Sequence, residues 1–157
     1  MKDKGGLKVQ ENPVIPFKEK HIEQAIDILI QTFSNAPWFE SWSYAYAKAR
    51  IDDMYFSSSF RGTACFKEDS MIGFAIGNLE YWEQSVIYYL NELCVLPSHK
   101  HSYIGSELMQ KLEKDLKAEN VHQIYLSTVE EEGGPAPFFH KQGYNTNRKR
   151  IIMEKNL

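Results

Sequence analysis

The chain has 157 residues, of which 43% are hydrophobic, 13% aromatic and 25% charged, a composition typical of one globular domain. Its net charge of −3 excludes the strong positive field that non-specific nucleic-acid binding requires, and its aromatic content excludes a mainly disordered chain. No run of about 18 apolar residues predicts a membrane span, and the polar residues 1–6 lack the apolar stretch of a signal peptide. We therefore expect a single cytoplasmic domain over residues 1–157, with residues 1–12 as a flexible polar tail.

Hydrophobic periodicity predicts a strand at residues 14–17 and two helices at residues 19–33 and 43–56. The first helix ends before Pro37, because the residue that precedes a proline avoids the helical region. The loop between the two helices is rich in aromatic residues.

The pattern then changes to strands, with a hairpin made of residues 63–66 and 71–77 and a further strand at residues 85–95. An amphipathic helix at residues 104–116 follows, since leucine and isoleucine recur at four-residue steps.

In the last part of the chain the residue pattern predicts a strand at residues 124–128 and a short helix at residues 135–142. Gly143 is expected to end this helix. A terminal pair of strands is expected around Tyr144 and residues 150–153. This order of elements predicts an α/β (α+β) sandwich, a mixed sheet with helices on both faces.

The two cysteines, Cys65 and Cys94, are too few for a disulfide framework or a four-ligand zinc site. Both lie in apolar, strand-like runs, which favours buried free thiols. The five histidines have no metal-ligand spacing, so we expect no metal.

The segment from residue 88 to residue 116 leads from a strand through a loop into a helix. Such a junction favours anion binding, because free amides and the positive end of the helix dipole converge there. Lys100 adds a positive charge, and Gly105 lets a phosphate approach the backbone without a Cβ in the way. The loop has neither the P-loop pattern nor the dinucleotide fingerprint. The residues alone favour a phosphate site and an ordinary strand-to-helix turn about equally.

Residues 93–108 resemble the acetyl-CoA-binding motif of the GNAT superfamily of N-acetyltransferases, in which Val-x-Pro is followed by Arg/Gln-x-x-Gly-x-Gly/Ala at the start of a helix. Residues 138–144 are similar to the family's Phe-Tyr-x-Lys-x-Gly-Phe, and residues 38–42 to an aromatic stretch of aminoglycoside-acetylating members. The order of elements over residues 14–153 agrees as well. The resemblance implies the GNAT fold, a mixed, mostly antiparallel sheet of six to seven strands with helices on both faces.

The resemblance also implies acetyl-CoA as the acyl-donor cosubstrate, without a metal. Lys100 takes the Arg/Gln position of the motif, and Phe138 of the second motif is expected to contact the cosubstrate. A short strand segment would pair its backbone with the pantetheine arm, and its first amide would polarise the thioester carbonyl. The segment consists of Leu93, Cys94 and Val95. The amides expected to hold the pyrophosphate are those of His101, Ser102, Tyr103, Ile104, Gly105 and Ser106.

Glu92 is the predicted general base, because amine attack on a thioester needs a neutral amine and no other acid occurs in this strand. Asn91 and Tyr89 hold the other positions of this strand at which the base could lie, since a bulge would change which residues face the site. A solvated or ion-paired role for Glu92 on the sheet face stays open. Glu80 and residues 130–132 are weaker candidates.

Two positions depart from the family pattern. Tyr103 stands where the first glycine is usual, so the loop bends differently or binds diphosphate more weakly. Phe139 stands where many members carry the tyrosine that protonates the departing thiolate, and a phenyl ring cannot donate a proton. Tyr144 is the predicted substitute, with His140 as the other candidate, and a structural role stays open for both.

Together these features predict an N-acetyltransferase that moves acetyl from acetyl-CoA to a primary amine by direct attack in a ternary complex. Trp38, Trp42 and Asn91 are the predicted substrate-binding residues, with core packing as the alternative for the tryptophans. The expected partner is a small-molecule or peptide amine, not nucleic acid or membrane, and a homodimer is left open. The alternatives are an acetyl-CoA-binding module or sensor with little turnover, and a protein N-terminal or lysine acetyltransferase.

Overall fold

The computed structural model describes residues 12–157, which belong to two units. The first unit ends at Leu126, and the second comprises Ser127–Leu157. The predicted polar tail, residues 1–12, lies outside the described residues except for its last position.

A five-stranded sheet forms the centre of the first unit, with its strands in chain order. The strands are β1 (Val14–Pro16), β2 (Phe60–Lys67), β3 (Ser70–Trp82), β4 (Ser85–Val95) and β5 (Gln123–Tyr125). The first four pair antiparallel, and β5 runs parallel to β4. The predicted mixed, mostly antiparallel sheet is confirmed, but the predicted count of six to seven strands is wrong.

The helices of this unit are α1 (Ile22–Ser34), α2 (Tyr44–Tyr55) and α3 (Ile104–Ala118). Their predicted positions are confirmed to within a few residues, with a 3₁₀ turn in place of the first turn expected for α1. The hydroxyl of Ser43 begins α2 by accepting a hydrogen bond from the amide of Tyr46 at 3.3 Å. Within residues 12–157, no helix combines the length and the apolar character needed to cross a membrane.

The side chains of β3 show which helices cover each face of the sheet, since successive residues of a strand point to opposite faces. Phe74 and Ile76 belong to the core that α1 and α2 form with the sheet. Gly73 points the other way, because a Cβ at this position would lie 3.1 Å from Leu108 and 3.3 Å from Ile104 of α3. Helices therefore cover both faces, as predicted, and we call them the α1–α2 face and the α3 face.

The second unit contains one helix, α4 (Ala136–Lys141), which is followed by Gly143 at φ +92°. The predicted terminal strands around Tyr144 and residues 150–153 are wrong, since residues 127–157 contain no strand. Consecutive apolar residues at 151–153 carry no alternation, and a strand forms only where a neighbouring edge pairs with it. In the structure these three side chains are exposed.

Candidate active site

The middle of β4 departs from regular pairing with β3. Ile76 lies opposite Glu92, but the next residue, Gly77, lies opposite Leu90, so Asn91 is the extra residue of a bulge. A Cβ at Gly77 would lie 2.0 Å from a backbone carbonyl oxygen of β4, so only glycine fits there. The bulge thus places two polar residues, Asn91 and Glu92, in succession at the centre of an apolar strand.

The outer edge of β4 is paired over only part of its length. Residues 87–89 pair with β5, and the ladder stops at Tyr89. From Leu90 to Val95 this edge has no partner strand within residues 12–157. The segment predicted to pair with pantetheine, residues 93–95, lies in this stretch. An unpaired edge presents amides and carbonyls to an extended ligand.

The loop after β4 reaches α3 through two left-handed residues. His101 has φ +65°, and Tyr103, which precedes the first turn of α3, has φ +64°. Tyr103 therefore adopts the conformation that favours glycine, at a cost of about 1 kcal/mol for an L-residue. Its side chain is 80% exposed.

The first turn of α3 begins with Ile104, Gly105 and Ser106, and the N-cap residue, Tyr103, makes no side-chain capping hydrogen bond. Helix N-termini leave amides without intrahelical partners, which makes them suited to anions. Lys100 and Ser102 precede the helix in exposed positions. The residues predicted to bind the pyrophosphate are therefore contiguous around this helix end.

Glu92 is buried on the α1–α2 face, with 5% of its side chain exposed. Nε of Arg50, on α2, donates a hydrogen bond to Oε1 of this carboxylate. Burial raises the pKa of Glu92 above its usual value; the charge of Arg50 and its hydrogen bond oppose the rise, and the charge of Glu40 adds to it. The side chain of Arg50 is 43% exposed, so the ion pair reaches the surface on one side.

Side chains from the loop between α1 and α2 lie around Arg50. The guanidinium carbon is 5.9 Å from the ring centroid of Trp42, and the indole N–H of Trp42 donates to Glu40 at 2.7 Å. Phe33 packs against both Trp38 and Trp42, at centroid distances of 5.4 and 6.4 Å. The structure thus brings three predicted site residues, Glu92, Trp42 and Trp38, into one set of contacts.

Asn91 lies on the same face as Glu92. Its Nδ2 donates to Oδ1 of Asn78 at 3.2 Å, and Nδ2 of Asn78 donates to the carbonyl oxygen of Met54 on α2 at 3.3 Å. Both asparagine side chains are half-buried. The bulge residue is therefore held in place by a chain of amide hydrogen bonds.

Phe138 and Tyr144 belong to the second unit. Phe139 packs edge-on against both rings, at centroid distances of 5.2 Å to Phe138 and 5.6 Å to Tyr144. Phe139 is buried, whereas His140 is exposed, with its Nε2 3.1 Å from the hydroxyl of Thr146. The roles expected of Phe138, Tyr144 and His140 stay predictions.

Both cysteines are free and buried, as predicted. Burial raises the pKa of the Cys65 thiol to about 11 and that of the Cys94 thiol well above its usual value. Because the thiolate is the nucleophilic form, neither side chain is suited to covalent chemistry. Within residues 12–157, no three His, Cys, Asp or Glu side chains are grouped so that they could hold a metal ion.

Sequence reasoning missed Arg50. On α2 the residues that face the core are Ala47, Ile51 and Met54, and Arg50 lies three or four positions from two of them on the same side. The signal was a lone basic residue beside the apolar side of a helix. Considered together with the lone acid in an apolar strand, it predicts this ion pair.

The family model for the GNAT acetyltransferases matches residues 23–144, which is most of the chain and includes the bulge, the loop and α3. The chain belongs to the GNAT acetyltransferase family. No curated protein matches it in sequence.

Solved structures of several acetyltransferases show the same fold. An acetyltransferase from Trypanosoma brucei has a TM-score of 0.68 and 14% identity, with coverage of 92% of this chain and 100% of that one. An aminoglycoside 6'-N-acetyltransferase from Acinetobacter haemolyticus has a TM-score of 0.71 and 15% identity, with 92% and 99% coverage. An aminoglycoside N-acetyltransferase in complex with CoA has a TM-score of 0.72 and 14% identity, with 93% and 95% coverage. The predicted GNAT fold is confirmed.

Proposed function

We propose that this protein is an N-acetyltransferase that moves the acetyl group of acetyl-CoA to a primary amine by direct attack in a ternary complex. The observation that carries the proposal is the buried carboxylate of Glu92, at the bulge of β4 and next to the open edge of that strand. Membership of the GNAT family supports acetyl transfer to amines, and a neighbour solved with CoA supports a CoA thioester as the donor.

The first unit offers acetyl-CoA two kinds of backbone contact. The unpaired edge at residues 93–95 suits the amide groups of the pantetheine arm. The N-terminal end of α3 offers amides and the positive end of the helix dipole to the pyrophosphate, and exposed Lys100 adds a positive charge nearby in the chain.

In the proposed reaction the amine nitrogen attacks the carbonyl carbon of the thioester. The C–N bond forms, the C–S bond breaks, and CoA departs as the thiolate. A primary amine is mostly protonated near neutral pH, so one of its protons must first leave. Glu92 accepts this proton and later returns it to solvent, and the second proton of the amine goes to the departing thiolate.

The surroundings of Glu92 suit a general base. Burial raises its pKa, so the carboxylate accepts a proton more readily than an exposed glutamate does. The charge of Arg50 opposes this rise and keeps the carboxylate ionised at higher proton concentration. Burial and the charge of Arg50 thus act on the pKa of Glu92 in opposite directions, and the net shift is upward.

The direct test is calorimetric titration with acetyl-CoA, followed by thiol release across a panel of primary amines. We expect acetyl-CoA to bind and at least one amine to raise thiol release well above hydrolysis. Binding without turnover would favour the sensor alternative. Turnover with peptide amines alone would favour a protein acetyltransferase, and an absence of acetyl-CoA binding by the folded protein would contradict the proposal.

Small-molecule amines are the proposed acceptor class, because the fold neighbours include two aminoglycoside acetyltransferases. The proposed location is the cytoplasm. Two free, buried cysteines support it, since reduced thiols are typical of that compartment.

A further inference from the structure

A second carboxylate on the α1–α2 face has surroundings unlike those of Glu92. Glu80, near the end of β3, accepts hydrogen bonds from the hydroxyl of Tyr125 at 2.8 and 2.9 Å. The indole N–H of Trp82 donates to the same carboxylate at 3.3 Å. Tyr89 stacks on Tyr125 at a centroid distance of 4.8 Å. Two aromatic side chains thus donate hydrogen bonds to Glu80, and a third ring stacks on one of them.

Strand register places this cluster on the same face as the proposed base. Glu80 lies four residues along β3 from Ile76, the residue opposite Glu92, and an even spacing keeps both positions on one face. At about 3.3 Å per residue, Glu80 lies roughly 13 Å along β3 from the position opposite Glu92. The half-buried Asn78 and Asn91 lie between them, joined by a hydrogen bond.

Among residues 12–157, no basic side chain forms an ion pair with Glu80. Its hydrogen-bond donors are a neutral phenol and a neutral indole. The carboxylate is half-buried and Trp82 is 52% exposed, so the cluster is open to solvent. A carboxylate beside aromatic rings is the environment that binds an ammonium group, through charge attraction and the cation–π interaction.

We propose that Glu80, with Tyr89, Tyr125 and Trp82, binds a second ammonium group of the acceptor. The inference deepens the proposed function and depends on it. It names the acceptor class as a diamine or longer polyamine with two amino groups roughly 13 Å apart, the spacing along β3 between Glu80 and the position opposite Glu92. One amino group lies at Glu92, where it is acetylated, and the other lies at Glu80.

The test compares the affinities of a nine-carbon diamine, with one amino group at each end, and the nine-carbon monoamine. Each is titrated by calorimetry into the full chain in the presence of CoA. We expect the diamine to bind about tenfold more tightly, the gain that an ammonium beside a carboxylate and aromatic rings gives in a partly desolvated site. In Glu80→Gln this affinity ratio falls to about one.

The matched control is Glu83→Gln, because Glu83 is an exposed acid in the turn that follows β3. It removes the same charge from the same hairpin, and we expect the tenfold ratio to be kept. Trp82→Leu is the second variant. It leaves the carboxylate in place and should lower the ratio by removing the exposed ring.

The proposal is overturned if the two amines bind equally, if neither binds, or if the ratio is unchanged in Glu80→Gln. The last result would mean that the bond from Tyr125 to Glu80 only fastens β5 to the sheet. Failure of the proposed function is seen separately, as absent acetyl-CoA binding or absent thiol release in the wild-type chain.

Discussion

The two carboxylates on the α1–α2 face, Glu92 and Glu80, are surrounded in opposite ways. Glu92 is buried and forms an ion pair with Arg50. Glu80 is half-buried and accepts hydrogen bonds from neutral donors. Burial makes the first a better proton acceptor, because its charged form is poorly solvated. The second is partly exposed and has only neutral hydrogen-bond donors, so an ammonium group of a ligand can reach it. Burial and the partner side chain, more than the residue type, therefore decide what each acid can do.

The largest effect is expected for Glu92→Gln, which keeps the shape of the side chain and removes the base. We expect kcat/KM to fall about a hundredfold, within the usual range for loss of a general base. Acetyl-CoA affinity should be unchanged, since the cosubstrate contacts proposed here come from the backbone and Lys100. Thiol release measures the first quantity and calorimetry the second. A loss of less than about threefold, no more than that of the Glu83→Gln control, would remove Glu92 from the chemistry.

Replacing Arg50 by Gln removes the cation that is paired with Glu92. The charged groups that face this carboxylate are Arg50 on α2 and Glu40 in the loop before it. Without Arg50 the pKa of Glu92 rises further, so the acid limb of kcat/KM should move to higher pH. Arg50→Lys should move it less.

The control for Arg50→Gln is Lys114→Gln, which removes an exposed positive charge on α3. We expect this variant to leave the acid limb in place. An acid limb that does not move in Arg50→Gln would show that the group titrating is not Glu92.

We expect a smaller effect of Glu92 on the way the free energy of unfolding depends on pH. The folded-state pKa of Glu92 is raised, so the native state holds a proton that the unfolded state has lost between the ordinary glutamate pKa and the raised one. The free energy of unfolding contributed by Glu92 is therefore greatest at low pH and is lost as pH rises through the folded pKa. Urea titrations at several pH values should show this decline in wild type and not in Glu92→Gln. If the free energy of unfolding changed equally with pH in both proteins, burial would not raise the pKa of Glu92.

The smallest expected effect concerns the neutral donor of the other carboxylate. Tyr125→Phe removes the hydroxyl that donates to Glu80 and should lower the free energy of unfolding by about 1 kcal/mol, the usual net value of one hydrogen bond. Tyr81→Phe is the matched control, since Tyr81 is 77% exposed on the neighbouring position of β3. Chemical denaturation measures both. A Tyr125→Phe variant as stable as the control would show that this bond adds nothing to the fold.

The sequence predicted the elements around the motif well, for physical reasons. β4 begins and ends as expected, because a long β-branched and aromatic run stops at a proline. α3 has four apolar residues at regular helical steps, which leaves little room for another structure. The terminal strands were predicted wrongly because residues 151–153 are too short a run to carry a period.

The site was only partly predictable, because its contacts join residues that are distant in the chain. Glu92 was visible as an acid in an apolar strand, but its partner Arg50 lies 42 residues earlier. Glu80 could be seen only as an acid near the end of a strand. The hydroxyl that holds it belongs to Tyr125, 45 residues later, and the parallel pairing of β4 with β5 brings them together.

The pH profile of thiol release shows whether Glu92 accepts the proton of the amine. The measurement follows kcat/KM from acid to neutral pH in the wild-type chain and in Glu92→Gln, with the same primary amine. We expect an acid limb in wild type at a pH above the ordinary glutamate pKa, and no such limb in the residual activity of the variant. An identical acid limb in both proteins would contradict it.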